Sequence, residues 1–304
     1  MRQPNQGPQV RTGSATRTTF WFVLLGIGLA WGLAAPVGKH AVSSGHHALV
    51  VAFWNVATAA VAVTVIAGLS NRKLILNRET TQFFLICGLL GRAIPITLAY
   101  VAFDALPVGI VVILISTTPL LTLLAAVLAK IDVLNVRKLA GLLLGLSAIA
   151  TILLPGGDPN SISKPMLLIV PLIIALSYAL EGTFIKTLKP AALDPLGMVL
   201  GSTWAALLML LPFVVSRADW FIFASPTTVE LAVVGGAVLH LVGYLAFVWL
   251  IGQAGPVFTS QVGYIVTVSG VVFGIAFFGE THPATVWLAL IVLIAGLALV
   301  KPTT

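Results

Sequence analysis

Three ionisable residues stand deep inside apolar runs of this 304-residue chain: Arg92, Glu181 and His240. Arg92 falls about eleven residues into the run 82–103, which at 1.5 Å per helical residue is roughly 16 Å deep, near the midplane of a bilayer. An arginine there costs at least about 2.5–3.5 kcal/mol, so it must face a bundle interior or water and find a partner. One reading is an anion contact, a solute carboxylate held by the planar guanidinium fork. The other is a structural ion pair with Glu181. Glu181 lies five residues before the end of its run, where it can couple protons, counter Arg92 or a solute amine, or snorkel to the interface. His240 is near mid-run and is either a hydrogen-bonded packing residue or a group that titrates near neutral pH.

Polar-tipped aromatic residues surround these positions at helical spacing. Tyr244 and Phe247 follow His240 at i+4 and i+7, Tyr178 precedes Glu181 by three, and Gln261 precedes Tyr264 by three with Thr267 one turn on. Trp31, Asn55 and Tyr100 add polar tips in the first half. Each alone is helix packing as readily as binding. Together they describe a cavity with aromatic walls and few charges, suited to an amphiphilic organic solute. The site expectation is therefore Arg92, His240, Glu181, Trp31, Tyr100, Tyr178, Tyr244, Gln261 and Tyr264, with Glu181 and His240 as coupling candidates.

Enzyme chemistry finds little support. There is no HExxH, no pair of carboxylates on one face and no phosphate-cradling loop. Thr267-Val268-Ser269-Gly270 is similar to the serine motif of rhomboid proteases but lacks its first glycine, and His240 precedes the serine, the reverse of the order required. No catalytic, metal or cofactor residues are expected. A lipid-handling or structural membrane subunit is the remaining alternative to a carrier.

The elements that must position these residues are membrane helices. Hydrophobic residues make up 59% of the chain and charged ones 8%, against roughly 25% charged in soluble domains. A net charge of +7 would suggest nucleic acid in a soluble protein, but here the basic residues sit in short gaps between apolar runs. Ten segments are long enough to span: 20–39, 48–69, 82–103, 107–129, 137–154, 166–186, 195–216, 229–251, 255–278 and 284–300. Pro119 falls inside the fourth, where it removes a backbone bond and can supply a hinge. Gly141 and Gly145 form a small-xxx-small pair that reads as packing. Cys87, the single cysteine, can form no intrachain disulfide.

The chain repeats itself at an offset of 147–148 residues. Trp31-Gly32 and Lys39 are answered by Tyr178-Ala179 and Lys186, Gly88 by Gly236, Arg92 by His240, and Asp132 by Glu280. Each copy holds five spans, and tandem copies of an odd-spanning unit cross the bilayer in opposite senses, the inverted-repeat plan of secondary transporters. The expected organisation is a disordered cytoplasmic tail over 1–19, a first repeat over 20–154, a linker over 155–165 and a second repeat over 166–301. With the N-terminus inside, the cytoplasmic segments hold Arg2, Arg11, Arg17, Arg72, Lys73, Arg78, Lys130, Arg137, Lys138, Lys186, Lys189 and Lys301, and the other face only Lys39, Lys164 and Arg217. That twelve-to-three bias puts both termini in the cytoplasm. Lys39 and Lys186 snorkel from opposite faces or gate the cavity mouths.

Three stretches resemble the drug/metabolite transporter superfamily, specifically its EamA-type ten-helix members. They are Trp31-Gly32 with Pro36 and Lys39, Leu106-Pro107-Val108-Gly109 leading to Thr118-Pro119 and Asp132, and Gly279-Glu280 entering the last helix. Asp132 stands where Glu is usual, Thr267 where the second repeat has proline, and Ile131 where Gly is typical. The resemblance implies an all-α integral membrane protein with a central cavity lined by helices 1–4 and 6–9, helices 5 and 10 being peripheral. It implies a metabolite or drug carrier, often an exporter, in a bacterial inner membrane. The expected partners are a small-molecule solute, amino acids or related amphiphiles favoured, and the lipid bilayer. Nucleic acid is not expected; proton coupling is left open, and the assembly is a monomer or weak dimer.

Overall fold

In the computed structural model the described residues are 17–42, 45–72, 74–106, 108–153, 165–217, 219–220, 223, 227–278, and 287–288, 291–292, 295–296 and 299. The 1–19 tail, the 155–165 linker, Glu280 and Lys301 lie wholly or largely outside them, as does most of the tenth expected span. All regular structure among the described residues is helical. The helices are α1 (Arg17–Val42), α2 (Ala48–Leu69), α3 (Arg78–Gly88), a π-helical turn (Leu89–Ala93), α4 (Ile94–Ala105), α5 (Val108–Ile115), α6 (Thr118–Leu128) and α7 (Val136–Leu153). A 3₁₀ turn (Pro165–Leu168) leads into α8 (Ile169–Leu188), then α9 (Pro195–Val215), α10 (Thr228–Ala254), α11 (Pro256–Ser260) and α12 (Val262–Phe278).

Apolar runs make these segments helical, because only internally bonded backbone is tolerated in hydrocarbon, and polar caps set where they begin. Asn77 and Thr80 close a capping box on α3, Thr227 and Glu230 another on α10, and Asp194 accepts from the Gly197 amide at 2.7 Å before Pro195. Gly255, at φ 84°, ends α10 with a conformation other residues rarely adopt. Six described segments are long and apolar enough to cross a membrane: Arg17–Val42, Ala48–Leu69, Arg78–Ala105, Met166–Leu188, Pro195–Val215 and Thr228–Ala254. Large apolar side chains such as Phe22, Leu69, Leu128, Leu208 and Leu231 remain exposed, as they do on a surface solvated by lipid.

Two of the expected spans are not continuous. The fourth is split at Ser116–Thr117 into α5 and α6, and the ninth at Gln261 into α11 and α12. Pro119 therefore sits in the first turn of α6 rather than in mid-helix. Its missing amide would have bonded the Ile115 carbonyl, and the Thr118 hydroxyl takes that acceptor instead at 2.5 Å. The Ser116 and Thr117 hydroxyls bond the Val112 and Leu114 carbonyls at 2.8 Å each. In the second break the Thr259 and Ser260 hydroxyls do the same for Gly255 and Val257 at 2.8 and 3.0 Å. The Thr118 hydroxyl thus satisfies a carbonyl that Pro119 leaves without an amide, while Ser116, Thr117 and Thr259 add a second bond to carbonyls their own amides already reach. The two breaks meet: Ser116 Oγ donates to the Gly263 carbonyl at 3.2 Å across a separation of 147 residues, and lies 2.5 Å from Thr267 Oγ1.

The bundle has two distinguishable ends. At the upper end Lys39 donates to the Phe103 carbonyl, His40 meets Thr228 at 3.3 Å, and Trp54 donates to the Trp220 carbonyl at 2.6 Å. At the lower end Arg72 pairs with Asp194 at 3.4 Å, and Trp21 meets Phe258 with ring centroids 4.9 Å apart. Between these ends α1 and α4 run upward and α2 downward, while their counterparts α8 and α10 run downward and α9 upward. Gly28 and Gly32 let α1 lie directly on α12, with Ser269 Oγ donating to the Gly28 carbonyl at 3.1 Å. Gly145 lies under the Tyr264 ring, and Gly141 and Gly145 together meet the backbone of Gly296, so the small-residue pair packs within the chain.

Candidate functional site

A cavity of about 140 Å³ lies in the upper half of the bundle, at the seam between the two halves of the chain. One water needs about 10–15 Å³ on this measure, so the space suits an organic solute rather than a lone ion. Its wall includes Trp31, Asn55, Tyr100, Tyr178 and His240 among the polar-tipped residues, Phe103 and Phe247 among the aromatics, and Ser116, Thr118 and Ser260 at the helix breaks. These come from the first, second, third, fourth, sixth, eighth and ninth spans. α9, the seventh, contributes none, contrary to the lining by helices 6–9 that the resemblance implied.

The wall is ordered by specific contacts. Asn55 Nδ2 donates to the Tyr100 hydroxyl at 3.0 Å, both residues being buried. Gly236 faces this pair and leaves the room that any side chain would take. The floor is an aromatic stack: Trp31 lies 5.4 Å from His240 and 6.3 Å from Tyr178 between ring centroids, each at 17°. Phe247 closes on Trp31 at 5.3 Å. The indole rests on Gly243, where an added Cβ would fall 2.3 Å from its Nε1. Below the floor, Phe20, Leu24, Ile27, Phe247, Ile251, Phe258 and Ile265 form a continuous apolar core that shuts the lower half.

Arg92, Glu181 and Tyr244 lie one helical turn beneath the floor and do not line the cavity. All three are fully buried. The Arg92 guanidinium carbon sits 4.3 Å from the centroid of the Tyr244 ring, a cation–π geometry worth about 2 kcal/mol or more when desolvated. The Tyr244 hydroxyl donates to Glu181 Oε1. Arg92 Nε, Nη1 and Nη2, Glu181 Oε2 and His240 Nε2 have no hydrogen-bond partner. Among the described residues no ion pair of 4.0 Å or less joins Arg92 to Glu181, so the structural pair considered from sequence is not formed. Glu181 is buried within the bundle and does not snorkel. Its carboxylate rests on Gly91, where an added Cβ would lie 1.9 Å from Oε1. Arg92 itself occupies the π-helical turn, in which Ile94 N–H bonds the Leu89 carbonyl, one residue further back than an α-helix allows.

Two further expected residues also fall elsewhere. Gln261 is fully buried at the break before α12. The Tyr264 hydroxyl donates to the Leu142 carbonyl at 3.2 Å, on the α7 side. Lys186 reaches the Gly252 carbonyl at 3.5 Å, and Asp132 pairs with Lys138 at 2.5 Å. Ser269 is engaged with backbone carbonyls of α1 and α12, not with His240. Sequence reasoning missed Gly243, whose signal was only its place one residue before Tyr244, and the wall roles of Ser116 and Ser260.

Comparison with known families decides the class. The model of the EamA-like transporter family matches this chain twice, over residues 19–154 and 164–301. The chain belongs to the EamA-like transporter family. It is therefore a multi-pass membrane transporter of the drug/metabolite transporter superfamily, built from two copies of the family's repeat. A solved crystal structure, described only as that of a protein, is similar over 93% of this chain and 96% of its own, with a TM-score of 0.71 at 16% identity. At that identity the likeness speaks for the fold. No curated protein sequence matches.

Proposed function

We propose that this EamA-like protein is a secondary carrier that exports small organic metabolites, with amino acids or related amphiphilic solutes as its class. It works by alternating access around the cavity at the seam of two inverted five-helix repeats, ten spans in all. The observation that carries this reading is the cavity itself: aromatic walls, hydroxyl and amide tips, and no carboxylate, lysine or arginine on its lining. Trp31, Tyr100, Tyr178 and His240 contact the solute, with Arg92, Glu181 and Tyr244 one turn below and Gln261 and Tyr264 holding the broken ninth span. Glu181 and His240 are the coupling candidates. Both termini are placed in the cytoplasm of a bacterial cell, which makes the upper half of the bundle periplasmic and the cavity outward-directed.

The test is a metabolite comparison of overexpressing and deleted cells, followed by flux of the identified solutes in liposomes holding the purified protein. Export of an amphiphilic metabolite, reproduced in liposomes, is the expected outcome. Movement of phosphorylated sugars alone overturns the solute class, since one guanidinium and one imidazole are poorly matched to a dianion. A reconstituted protein that moves nothing returns the chain to the lipid-handling or structural alternative.

A further inference from the structure

We infer that Arg92 and Glu181 form a two-point recognition site for a zwitterion, beneath the cavity floor. The guanidinium takes the carboxylate of an α-amino acid and the Glu181 carboxylate takes its ammonium. The inference rests on the carrier reading above and names the solute class at the inner end of the same pathway.

The first argument is an imbalance. Arg92 is fully buried, yet none of its three nitrogens has a hydrogen-bond partner, and Glu181, equally buried, leaves Oε2 bare. Buried polar groups in folded proteins are almost always paired, so each exception calls for a physical account. Opposite charges in a low-dielectric interior attract strongly and close to contact when nothing else holds them. Here Arg92 and Glu181 stay more than 4.0 Å apart.

Tyr244 is the spacer. Its ring holds the guanidinium carbon 4.3 Å from the ring centroid, and its hydroxyl holds Oε1 of Glu181. Gly91 gives the carboxylate its seat, so Glu181 is fixed from the α3 side as well. What remains is three guanidinium nitrogens and one carboxylate oxygen, Oε2, without partners. That set complements a carboxylate and an ammonium on one carbon. A carboxylic acid without an amine meets the charge of Glu181, and an amine without a carboxylate meets that of Arg92.

The second argument is position. Tyr178 precedes Glu181 by three residues on α8 and His240 precedes Tyr244 by four on α10, so two helices link the floor to the charged site across one turn, about 4.5–6 Å along the axis. A movement of α10 that draws His240 away from Trp31 on α1 carries Tyr244 with it. The amino-acid head group then passes between the upper cavity and the Arg92–Glu181 pair without leaving the seam, while an apolar side chain stays among the aromatic rings.

The experiment uses the full-length protein in liposomes and takes the twenty common amino acids singly as probes. For leucine the matched analogues are 3-methylbutylamine, which lacks the carboxylate, and 4-methylpentanoate, which lacks the ammonium; any other transported amino acid is compared with its own two. At least one amino acid is expected to move, with each analogue inhibiting about ten- to a hundred-fold more weakly, the range for losing one charged hydrogen-bonding partner. Glu181→Gln should raise inhibition by the deaminated acid to near that of the amino acid, a gain that misfolding cannot mimic. Arg92→Lys should weaken amino-acid transport although the charge is kept. Equal inhibition by all three probes on the unmodified protein overturns the inference, as does an unchanged ranking in Glu181→Gln. A protein that moves other solutes but no amino acid overturns the zwitterion site alone. One that moves no solute overturns the carrier reading, and this site with it.

Discussion

Trp31 and Gly243 show how much a single absent methyl group decides at the floor of the cavity. The indole brings its N–H edge against the α10 backbone, donating to the His240 carbonyl at 3.4 Å, because position 243 has no side chain. A Gly243→Ala methyl would fall 2.3 Å from Nε1 and 2.8 Å from Cδ1, so the ring must leave His240 and Phe247 and rise into the cavity. Overpacking of this kind costs about 1–3 kcal/mol. The expected result is a lower melting temperature in detergent together with a raised KM for the transported solute. An unchanged KM with a normal Tm would show that the indole does not hold the floor. At this scale the sequence was informative about charge and poor about glycine. Arg92, Glu181 and His240 are conspicuous because each is expensive in an apolar run, and the structure brings all three within two turns of one another. Tyr244's double contact and the seat at Gly91 depend on which helices adjoin, which no local pattern records.

The discontinuous spans carry the next lesson. Hydropathy reads 107–129 and 255–278 as unbroken because it sums apolar character, whereas a break depends on who bonds the released carbonyls. At the first break Thr118 does so, and it counts only slightly in any hydropathy sum. Pro119 signalled the first break but not its position, since proline is tolerated in the first turn of the helix that follows it. Pro119→Ala restores an amide that competes with the Thr118 hydroxyl for the Ile115 carbonyl and favours one straight helix through 108–128. Stability should change by no more than about 1 kcal/mol, while turnover falls severalfold in the liposome assay if the break serves the transport movement. Turnover equal to the unsubstituted protein would show that the break is static.

Across the whole molecule, the 147–148 residue offset was legible from a few paired positions, and Ser116 bonding to Gly263 across 147 residues puts such a pair in physical contact. Which half of the seam is open was not legible, because it turns on the meeting of Phe247, Phe258 and Ile265 from three separate helices. Orientation rests on the basic residues. In a Cys87→Ala background, Asp158→Cys should label from the periplasm and Leu76→Cys only from the cytoplasm with an impermeant thiol reagent. Labelling of both from one side would overturn the inverted arrangement. Removing Cys87 breaks no cross-link, since it is free.

The Trp31 stack also makes the protein its own optical instrument. An indole sandwiched against an imidazole and two other rings, with a solute cavity on one face and closed core on the other, changes its surroundings whenever the floor moves. Its emission therefore follows the state of the carrier without an added dye. Subtracting the spectrum of a Trp31→Phe protein isolates that signal from the other six tryptophans of the seven in the chain.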